Sequence, residues 1–292
     1  MNTKSFGYAY LLAAIVIFAG QDAFSKVLGD RYPAIMIVMV RYWVFALFVI
    51  ALAASSPGGL KRALRTKKPT LQIFRGLLLV SEIVIVIISF TTAGLALSQA
   101  VFQVTPLFVT ILSVPLLGEK VGWRRSLAVL AGLSGVLIVL NPLGVGFDWY
   151  LLIPLGGAFM YAIYSIATRA VSQHDSAATS VLYLGVIGAI AASLIGPFFW
   201  MPIVPDDWPA MIALCLCGCF SHFFLIKAYG FLKAVEVQPL TYLQLVLSVG
   251  IAHVFFDEAI TTNMVIGSVI VVVAGLFTAW REHRLGQKIA IT

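Results

Sequence analysis

Ten long apolar stretches, separated by short polar breaks, constrain this chain more than any other feature. Each has about 20 residues, the length an α-helix needs to cross the hydrocarbon core of a bilayer. Of the 292 residues, 61% are hydrophobic and only 11% are charged, whereas a soluble domain carries about 25% charged residues. The sequence therefore predicts an all-α polytopic membrane protein with ten transmembrane helices and no soluble domain. The predicted spans are 8–25, 34–54, 71–90, 96–117, 123–140, 149–168, 179–200, 208–228, 239–256 and 263–280.

Positive charge predicts how these spans are oriented. Ten spans place both termini on one side of the membrane, and Lys and Arg residues concentrate on the cytoplasmic side. With the termini in the cytoplasm, 15 of the 19 Lys and Arg residues fall in cytoplasmic segments. We therefore expect a multi-pass protein of the inner (plasma) membrane. The net charge of +7 reflects this topology and not nucleic-acid binding, because the basic residues are scattered over separate loops.

The chain is predicted to contain two similar halves, residues 1–142 and residues 143–292. Residues 18–26, FAGQDAFSK, align with residues 161–169, YAIYSIATR. Each half contains five predicted spans, and an odd number means that the halves insert in opposite senses. Inverted repeats are typical of secondary transporters, whose cargo site lies near the membrane midplane between the repeats.

Several segments resemble the drug/metabolite transporter superfamily, and specifically its EamA-type ten-span members. The matching segments are QDAFSK at 21–26, Arg41, RGLLL at 75–79, TPLFVTILSVPLLGEKVGWRRSLAVLAGLSGVLIVLNP at 105–142 and DEAITTNMVIGSVIVVVAG at 257–275. The resemblance covers essentially the whole chain. It implies a cavity built from spans one, three, four, six, eight and nine, and the inverted repeat favours alternating access to it over an open pore. The family includes amino-acid exporters and uptake carriers for riboflavin or S-adenosylmethionine.

Ionisable residues inside the predicted spans are candidates for the mechanism. Each costs at least about 2.5–3.5 kcal/mol at the bilayer centre, so such residues usually face a cavity. Glu82 falls near the middle of span three, and its repeat equivalent in span eight is Ser221 or His222. We predict that Glu82 couples transport to a proton gradient and that His222 binds cargo. The alternative is a hydrogen-bonded structural pair.

Polar residues of span four predict a cargo-binding face. Gln99, Gln103, Pro106, Thr110 and Ser113 recur at helical spacing. Uncharged amides and hydroxyls can bind a zwitterionic amino acid or the rim of a heterocycle. Hydrogen bonding between helices is the alternative role.

Spans six and nine supply further candidates for cargo binding. Gln238 and Tyr242 are predicted to share one face of span nine with Thr241 and Ser248 and to contact cargo. Tyr164 in span six is predicted to stack on an aromatic cargo. Simple packing is the alternative for this tyrosine.

Span one and two acidic loops complete the candidate residues. Asp22 and Lys26 are spaced i, i+4 near the outer end of span one and can pair. They form either a rim salt bridge or an outer gate. Arg41 is predicted to be structural, with contact to a cargo carboxylate as the alternative. Glu119 and Glu258 open short loops, where interaction with a helix start is the simplest role.

These features predict a transporter and not an enzyme. The sequence has no metal-ligand spacing, phosphate-binding loop or nucleophile motif, so we expect no metal and no cofactor. The favoured function is export of an amino acid or similar small metabolite through the lipid bilayer. Uptake of riboflavin or an S-adenosylmethionine-like compound is the alternative cargo assignment. A channel or a membrane-embedded enzyme is the alternative of another class.

Overall fold

The computed structural model describes residues 3–55, 58–117, 123–141, 149–172, 174–229, 231–232 and 234–289. Within these ranges the chain forms helices and turns, without a β-strand. The α-helices are α1 (Thr3–Gly29), α2 (Ala34–Ala54), α3 (Gly59–Ala63), α4 (Pro69–Thr92), α5 (Leu95–Phe102), α6 (Thr105–Leu117), α7 (Trp123–Leu140), α8 (Ile153–Ser172), α9 (Ala177–Ile195), α10 (Trp208–Tyr229), α11 (Ala234–Phe256) and α12 (Thr262–Ile289). Short 3-10 turns occupy Trp149–Leu152, Gly196–Phe199 and Pro205–Asp207.

The lengths and composition of these helices confirm an all-α polytopic membrane protein. In the described part of the chain, six apolar segments are long enough to cross a membrane: Ser5–Gly29, Ala34–Ala54, Pro69–Thr92, Leu95–Leu116, Ala177–Phe199 and Pro205–Leu225. Shorter apolar helices cover Leu127–Leu140, Ile153–Thr168, Leu240–Phe256 and Thr262–Phe277. Large side chains such as Leu47 and Val254, each 70% exposed, cover the outside of the bundle, as lipid contact requires. The count of ten spans and their inverted repeat stay predictions.

The fourth predicted span is divided into two helices. Helix α5 ends at Phe102, and α6 begins at Thr105. Pro106 is the second residue of α6, where the missing N–H costs no intrahelical hydrogen bond. Because the helix is interrupted, Gln99 and Thr110 do not share the single polar face that we expected for one continuous helix.

The most extensive helix contacts join the first half of the chain to the second. Helix α1 packs on α10, α2 on α9, α4 on α8, and α7 on α12. In the α7–α12 pair, Gly135 and Gly267 face each other so closely that a Cβ at either would strike the backbone oxygen of the other. Small residues permit such close approach between membrane helices.

Polar contacts hold the helix ends together at both ends of the bundle. At the end predicted to face outward, Arg31 forms an ion pair with Asp207, and Tyr32 Oη donates to Asp207 Oδ2 over 2.7 Å. At the opposite end, Asp175 joins the turn before α9 to the start of α4. It accepts hydrogen bonds from Gln72 Nε2 at 2.9 Å and from the backbone N–H of Lys67 at 2.8 Å.

Candidate functional site

Asp22 is a buried carboxylate surrounded by hydrogen-bond donors. It lies on α1 with 7% of its surface exposed. Its Oδ2 accepts from Gln99 Nε2 at 2.7 Å, Gln244 Nε2 at 2.9 Å and Ser248 Oγ at 3.3 Å. Gln99 belongs to α5, and the other two donors belong to α11. Asp22 therefore joins three separate helices inside the bundle.

Glu82 is a second buried carboxylate, with an opposite environment. It lies in the middle of α4 and is 4% exposed. Neither a hydrogen bond nor an ion pair reaches its side chain anywhere in the described ranges. The nearby charges that act on it are those of Arg41 and Asp22. The Glu82 carboxylate is thus a desolvated acceptor without a donor.

Arg41 on α2 is the matching unpaired cation. It is 7% exposed, and among the described residues nothing forms a hydrogen bond or ion pair with its guanidinium. Its charge acts on both Asp22 and Glu82. Arg41 and Glu82 therefore share one neighbourhood without closing into a salt bridge.

A small cavity borders Arg41. It measures about 20 Å³ and is lined by Arg41, Tyr42, Phe45, Leu79, Ile83, Gly218 and His222. Leu79 and Ile83 lie three residues before and one residue after Glu82 on α4. A Cβ added at Gly218 would lie 3.1 Å from Arg41 Nε and 3.6 Å from Gln21 Oε1. The Gln21 oxygen is also buried without a hydrogen-bond partner in the described structure.

His222 borders this cavity, and one of its ring nitrogens lies within hydrogen-bond distance of groups on its own helix, α10. Its Nδ1 lies 3.0 Å from Gly218 O and 3.4 Å from Ser221 Oγ. The imidazole ring packs between Phe18 and Phe45, with ring centroids 5.3 and 5.5 Å away. The predicted cargo residue His222 is thus next to Arg41, among aromatic rings.

Lys26 lies one helical turn beyond Asp22 but pairs with a different acid. Its Nζ lies 3.4 Å from Glu258 Oε1 and donates to Phe90 O over 3.0 Å. The ion pair expected between Asp22 and Lys26 is therefore replaced by one between Lys26 and Glu258. Glu258 in turn accepts from the backbone N–H groups of Leu95 and Ala96, each at 2.8 Å. Glu258 does interact with a helix start, but that helix is α5 and not its own α12.

The two predicted tyrosines differ in their surroundings: Tyr164 lies near the charges of Arg75 and Glu82, and Tyr242 lies against α12. The Tyr164 ring is 5.8 Å from Arg75 Cζ, and Arg75 also binds Gln72 Oε1 at 2.9 Å and Ser180 O at 2.6 Å. The Tyr242 hydroxyl points at α12, so closely that a Cβ at Gly275 would overlap it. This hydroxyl is buried and has no hydrogen-bond partner in the described structure.

The remaining predicted residues are the two other glutamines. Gln103 follows α5 as its C-cap and is half-buried. Gln238 lies in the first turns of α11, outside the residues whose side chains the structure describes. Glu119 also lies outside the described ranges.

Gln244 contacts Asp22 but was not predicted from the sequence. A helix turns by about 100° per residue, so Tyr242 and Ser248 are separated by about 240° and cannot share a face. Gln244 and Ser248 are only about 40° apart, and both reach Asp22. The spacing of Thr241, Gln244 and Ser248 would have identified the correct polar face.

Comparison with protein families identifies the type of molecule. The model of the EamA-like transporter family matches residues 5–141 and again residues 148–280. The chain belongs to the EamA-like transporter family. With its apolar spans, this membership makes it a multi-pass transporter of the inner (plasma) membrane.

Relatives of this EamA-like transporter carry several kinds of cargo, according to their names. An S-adenosylmethionine uptake transporter of Rickettsia prowazekii (strain Madrid E) is 26% identical over 97% of this chain and 96% of its own. A riboflavin transporter of Vibrio cholerae serotype O1 is 28% identical over 95% and 94%. A pseudopaline exporter of Pseudomonas aeruginosa is 23% identical over 92% and 94%. Transport is common to all three, whereas cargo and direction differ.

One solved crystal structure shares the fold of this transporter. It superposes with a TM-score of 0.64 at 20% identity and covers 94% of this chain and 97% of its own. The likeness extends over nearly the whole of both chains.

Proposed function

We propose that this EamA-like transporter is a secondary active carrier whose cargo has both an ammonium and a carboxylate group. The observation that carries the proposal is the pair of buried, unpartnered charges, Arg41 and Glu82. An uncompensated charge in a bilayer interior is costly, and such residues mark substrate or ion pathways. Arg41 binds the cargo carboxylate, while Glu82 and the Gln21 oxygen accept from its ammonium group.

The cargo that fits best is S-adenosylmethionine or a compound like it. An uptake carrier for this compound is among the relatives, and the compound carries the required amino-acid group. Amino-acid export, favoured by the sequence, is the second candidate because the same two side chains would bind a free amino acid. Riboflavin has no amino-acid group, so it leaves Arg41 and Glu82 without their partners.

Charge balance suggests when a proton is needed. Two buried carboxylates, Asp22 and Glu82, and one buried cation, Arg41, leave one negative charge if all are ionised. S-adenosylmethionine carries one net positive charge, because its sulfonium adds to a zwitterion, and it neutralises the site by itself. A neutral amino acid such as methionine does not, so a proton on Glu82 must accompany it. Glu82 is therefore the proton-coupling residue for zwitterionic cargo.

Transport requires the bundle to open, because the cavity of about 20 Å³ has room for about one water molecule. We propose alternating access between two inverted halves, residues 1–142 and 143–292. The separate family matches to residues 5–141 and 148–280 support this division. The packing of one half on the other also supports it, since α1 packs on α10 and α4 packs on α8. Lys26 belongs to the outer gate of this carrier.

Reconstitution of the full chain in liposomes tests the proposal. Labelled S-adenosylmethionine should enter with saturation and counterflow, which a channel does not show. Unlabelled methionine should compete and riboflavin should not. Uptake of S-adenosylmethionine should be insensitive to collapse of the proton gradient, whereas methionine transport should require the gradient.

The matched variants are Arg41→Gln at the site and Arg31→Gln at the outer end. Arg41→Gln should weaken the competition by methionine, and Arg31→Gln should leave it unchanged. Equal competition by riboflavin and methionine, unaffected by Arg41→Gln, would show that the amino-acid group is not what the site binds.

A further inference from the structure

Helix α1, helix α5 and helix α11 with the turn that follows it contact one another at two levels, which lie one helical turn apart. At the deeper level, Asp22 of α1 binds Gln99 of α5 and Ser248 of α11. At the outer level, Lys26 of α1 binds Glu258, which follows α11, and Glu258 holds the first residues of α5. Asp22 and Lys26 are four residues apart on α1, and Leu95 and Gln99 are four residues apart on α5. A helical turn rises about 5.4 Å, so a short rigid piece of helix joins the two levels on both sides.

Glu258 supplies the cap that α5 lacks. The residue before α5 is Gly94, which has no side chain to accept from the first N–H groups of the helix. The Glu258 carboxylate takes that role, with one oxygen on Leu95 N and the other on Ala96 N. A carboxylate at this position is also stabilised by the helix dipole.

The approach of Glu258 to α5 depends on the glycine. Gly94 has φ +87°, in the left-handed region that glycine adopts freely. A Cβ there would lie 3.0 Å from Glu258 Oε2. The sequence therefore leaves room at Gly94 for an acid from the other half of the chain.

Glu258 is in turn fixed to α11. Its backbone N–H donates to Ala252 O at 3.1 Å, and His253 Nδ1 lies 3.1 Å from its carbonyl oxygen. Asp257 makes the tight turn between them, with φ +52°. Because Gln244 and Ser248 lie on the same helix, α11 binds α1 at Asp22 and binds α5 through Glu258.

We propose that Glu258 is a positioning residue for transport, which holds α5 where Gln99 binds Asp22 and closes the outer face through Lys26. The two levels then open together. When α5 moves during transport, the hydrogen bond from Gln99 to Asp22 is released, and the Glu258 carboxylate loses its contacts with α5 and Lys26. The inference rests on the proposed function for its direction, but the link between Glu258 and Asp22 is independent of which cargo is carried.

Transport kinetics of three variants in liposomes test the link. Glu258→Ala removes the cap and the ion pair, and it should change KM for cargo about tenfold because α5 no longer holds Gln99. Lys26→Met removes the ion pair and the hydrogen bond to Phe90 O but leaves the Glu258 cap on α5, and it should change the maximal rate with KM near wild type. Glu258→Gln keeps an acceptor for α5 and should restore most of the KM.

Arg31→Gln is the matched control, because it breaks an ion pair at the same end of the bundle that does not touch α5. It should leave KM unchanged. A cycle that combines Glu258→Ala with Gln99→Ala separates positioning from general loosening. If Glu258 acts through Gln99, the double variant should have the KM of Gln99→Ala alone. Additive effects, or an equal change in Arg31→Gln, would overturn the proposal.

A second readout needs no cargo and so separates this inference from the proposed function. Ser98 lies on α5 and is fully buried. In a background without Cys215, Cys217 and Cys219, Ser98→Cys should react slowly with a membrane-impermeant thiol reagent added outside. Adding Glu258→Ala should speed the reaction about tenfold, and adding Arg31→Gln should not. An unchanged rate in the Glu258→Ala background contradicts the coupling even if no transported cargo is found.

Discussion

Asp22 and Glu82 are both buried carboxylates inside the bundle, yet their hydrogen-bonding environments are opposite. Asp22 accepts three hydrogen bonds on one oxygen, from Gln99, Gln244 and Ser248. Glu82 accepts none in the described structure. The exposed fractions of Asp22 and Glu82 are similar, 7% and 4%. The two carboxylates therefore differ in their hydrogen-bond donors and not in their burial.

The difference separates a structural acid from an available one. A buried charge that is fully hydrogen-bonded can be retained at small net cost, whereas a buried charge without partners is strongly unfavourable. Asp22 therefore stabilises the assembly of α1, α5 and α11. Glu82 has no such partner in the described structure, and under the proposed function a cargo ammonium group or a proton supplies one.

The largest expected effect is loss of S-adenosylmethionine transport in Glu82→Gln. Removing one partner of a buried charge pair costs about 2–5 kcal/mol, so cargo affinity should fall at least about 30-fold. Stability should stay the same or rise, because no described donor loses its acceptor. Transport assays and thermal unfolding of one preparation measure both effects. Asp206→Asn, at an exposed carboxylate, is the control. Unchanged uptake of S-adenosylmethionine and an unchanged gradient dependence of methionine transport in Glu82→Gln would remove Glu82 from the mechanism.

The converse is expected for Asp22→Ala. This variant leaves the donors of Gln99, Gln244 and Ser248 without their acceptor, and each unsatisfied buried group costs about 1–3 kcal/mol. We expect unfolding to become easier by about 2 kcal/mol or more, measured by thermal unfolding in detergent. Asp22→Asn keeps one oxygen for the same donors and should lose less. If Asp22→Ala is as stable as wild type, the contrast with Glu82 fails.

The fold was predictable because the bilayer leaves a strong signal in the sequence. A helix must satisfy its own backbone groups in lipid, so each span appears as an apolar stretch with punctuated ends. The break inside span four was less visible. Pro106 marked it, but proline occurs in continuous membrane helices as well, so this residue alone does not predict that α5 ends at Phe102.

The site was predictable in its residue types and not in its pairings. Glu82 and His222 were found because ionisable residues are rare within spans. The partner of Lys26 was missed because Glu258 is remote in sequence, while Asp22 is a local alternative at the spacing of a helix turn. Gln244 was missed because a half-buried amide in an apolar helix gives a weak signal unless the right face is chosen.

Asp175 extends the comparison to a carboxylate outside the membrane. Burial tends to raise its pKa, but hydrogen bonds from Lys67 N–H, Thr66 and Gln72 outweigh this and lower the pKa below its ordinary 3.8. Because the folded pKa is depressed, the stabilisation is present above the ordinary value and is lost as pH falls through the lowered one. Thermal unfolding followed from about pH 5 to about pH 2 should show this loss. Asp175→Asn should reduce the fall in unfolding temperature at acid pH, and Asp206→Asn should leave the pH dependence of the unfolding temperature unchanged.

The smallest effect is expected at Tyr242, which tests how far the cargo site extends. Its hydroxyl is buried against Gly275, without a hydrogen-bond partner in the described residues. Removing an unsatisfied buried polar group is neutral or stabilising, by about 1 kcal/mol. Tyr242→Phe should therefore keep the wild-type KM and raise the unfolding temperature slightly. A higher KM would instead mean that α11 turns during transport and brings this hydroxyl to the cargo. In that case the Tyr242 hydroxyl, like the Glu82 carboxylate, would gain a hydrogen-bond partner only when cargo is bound.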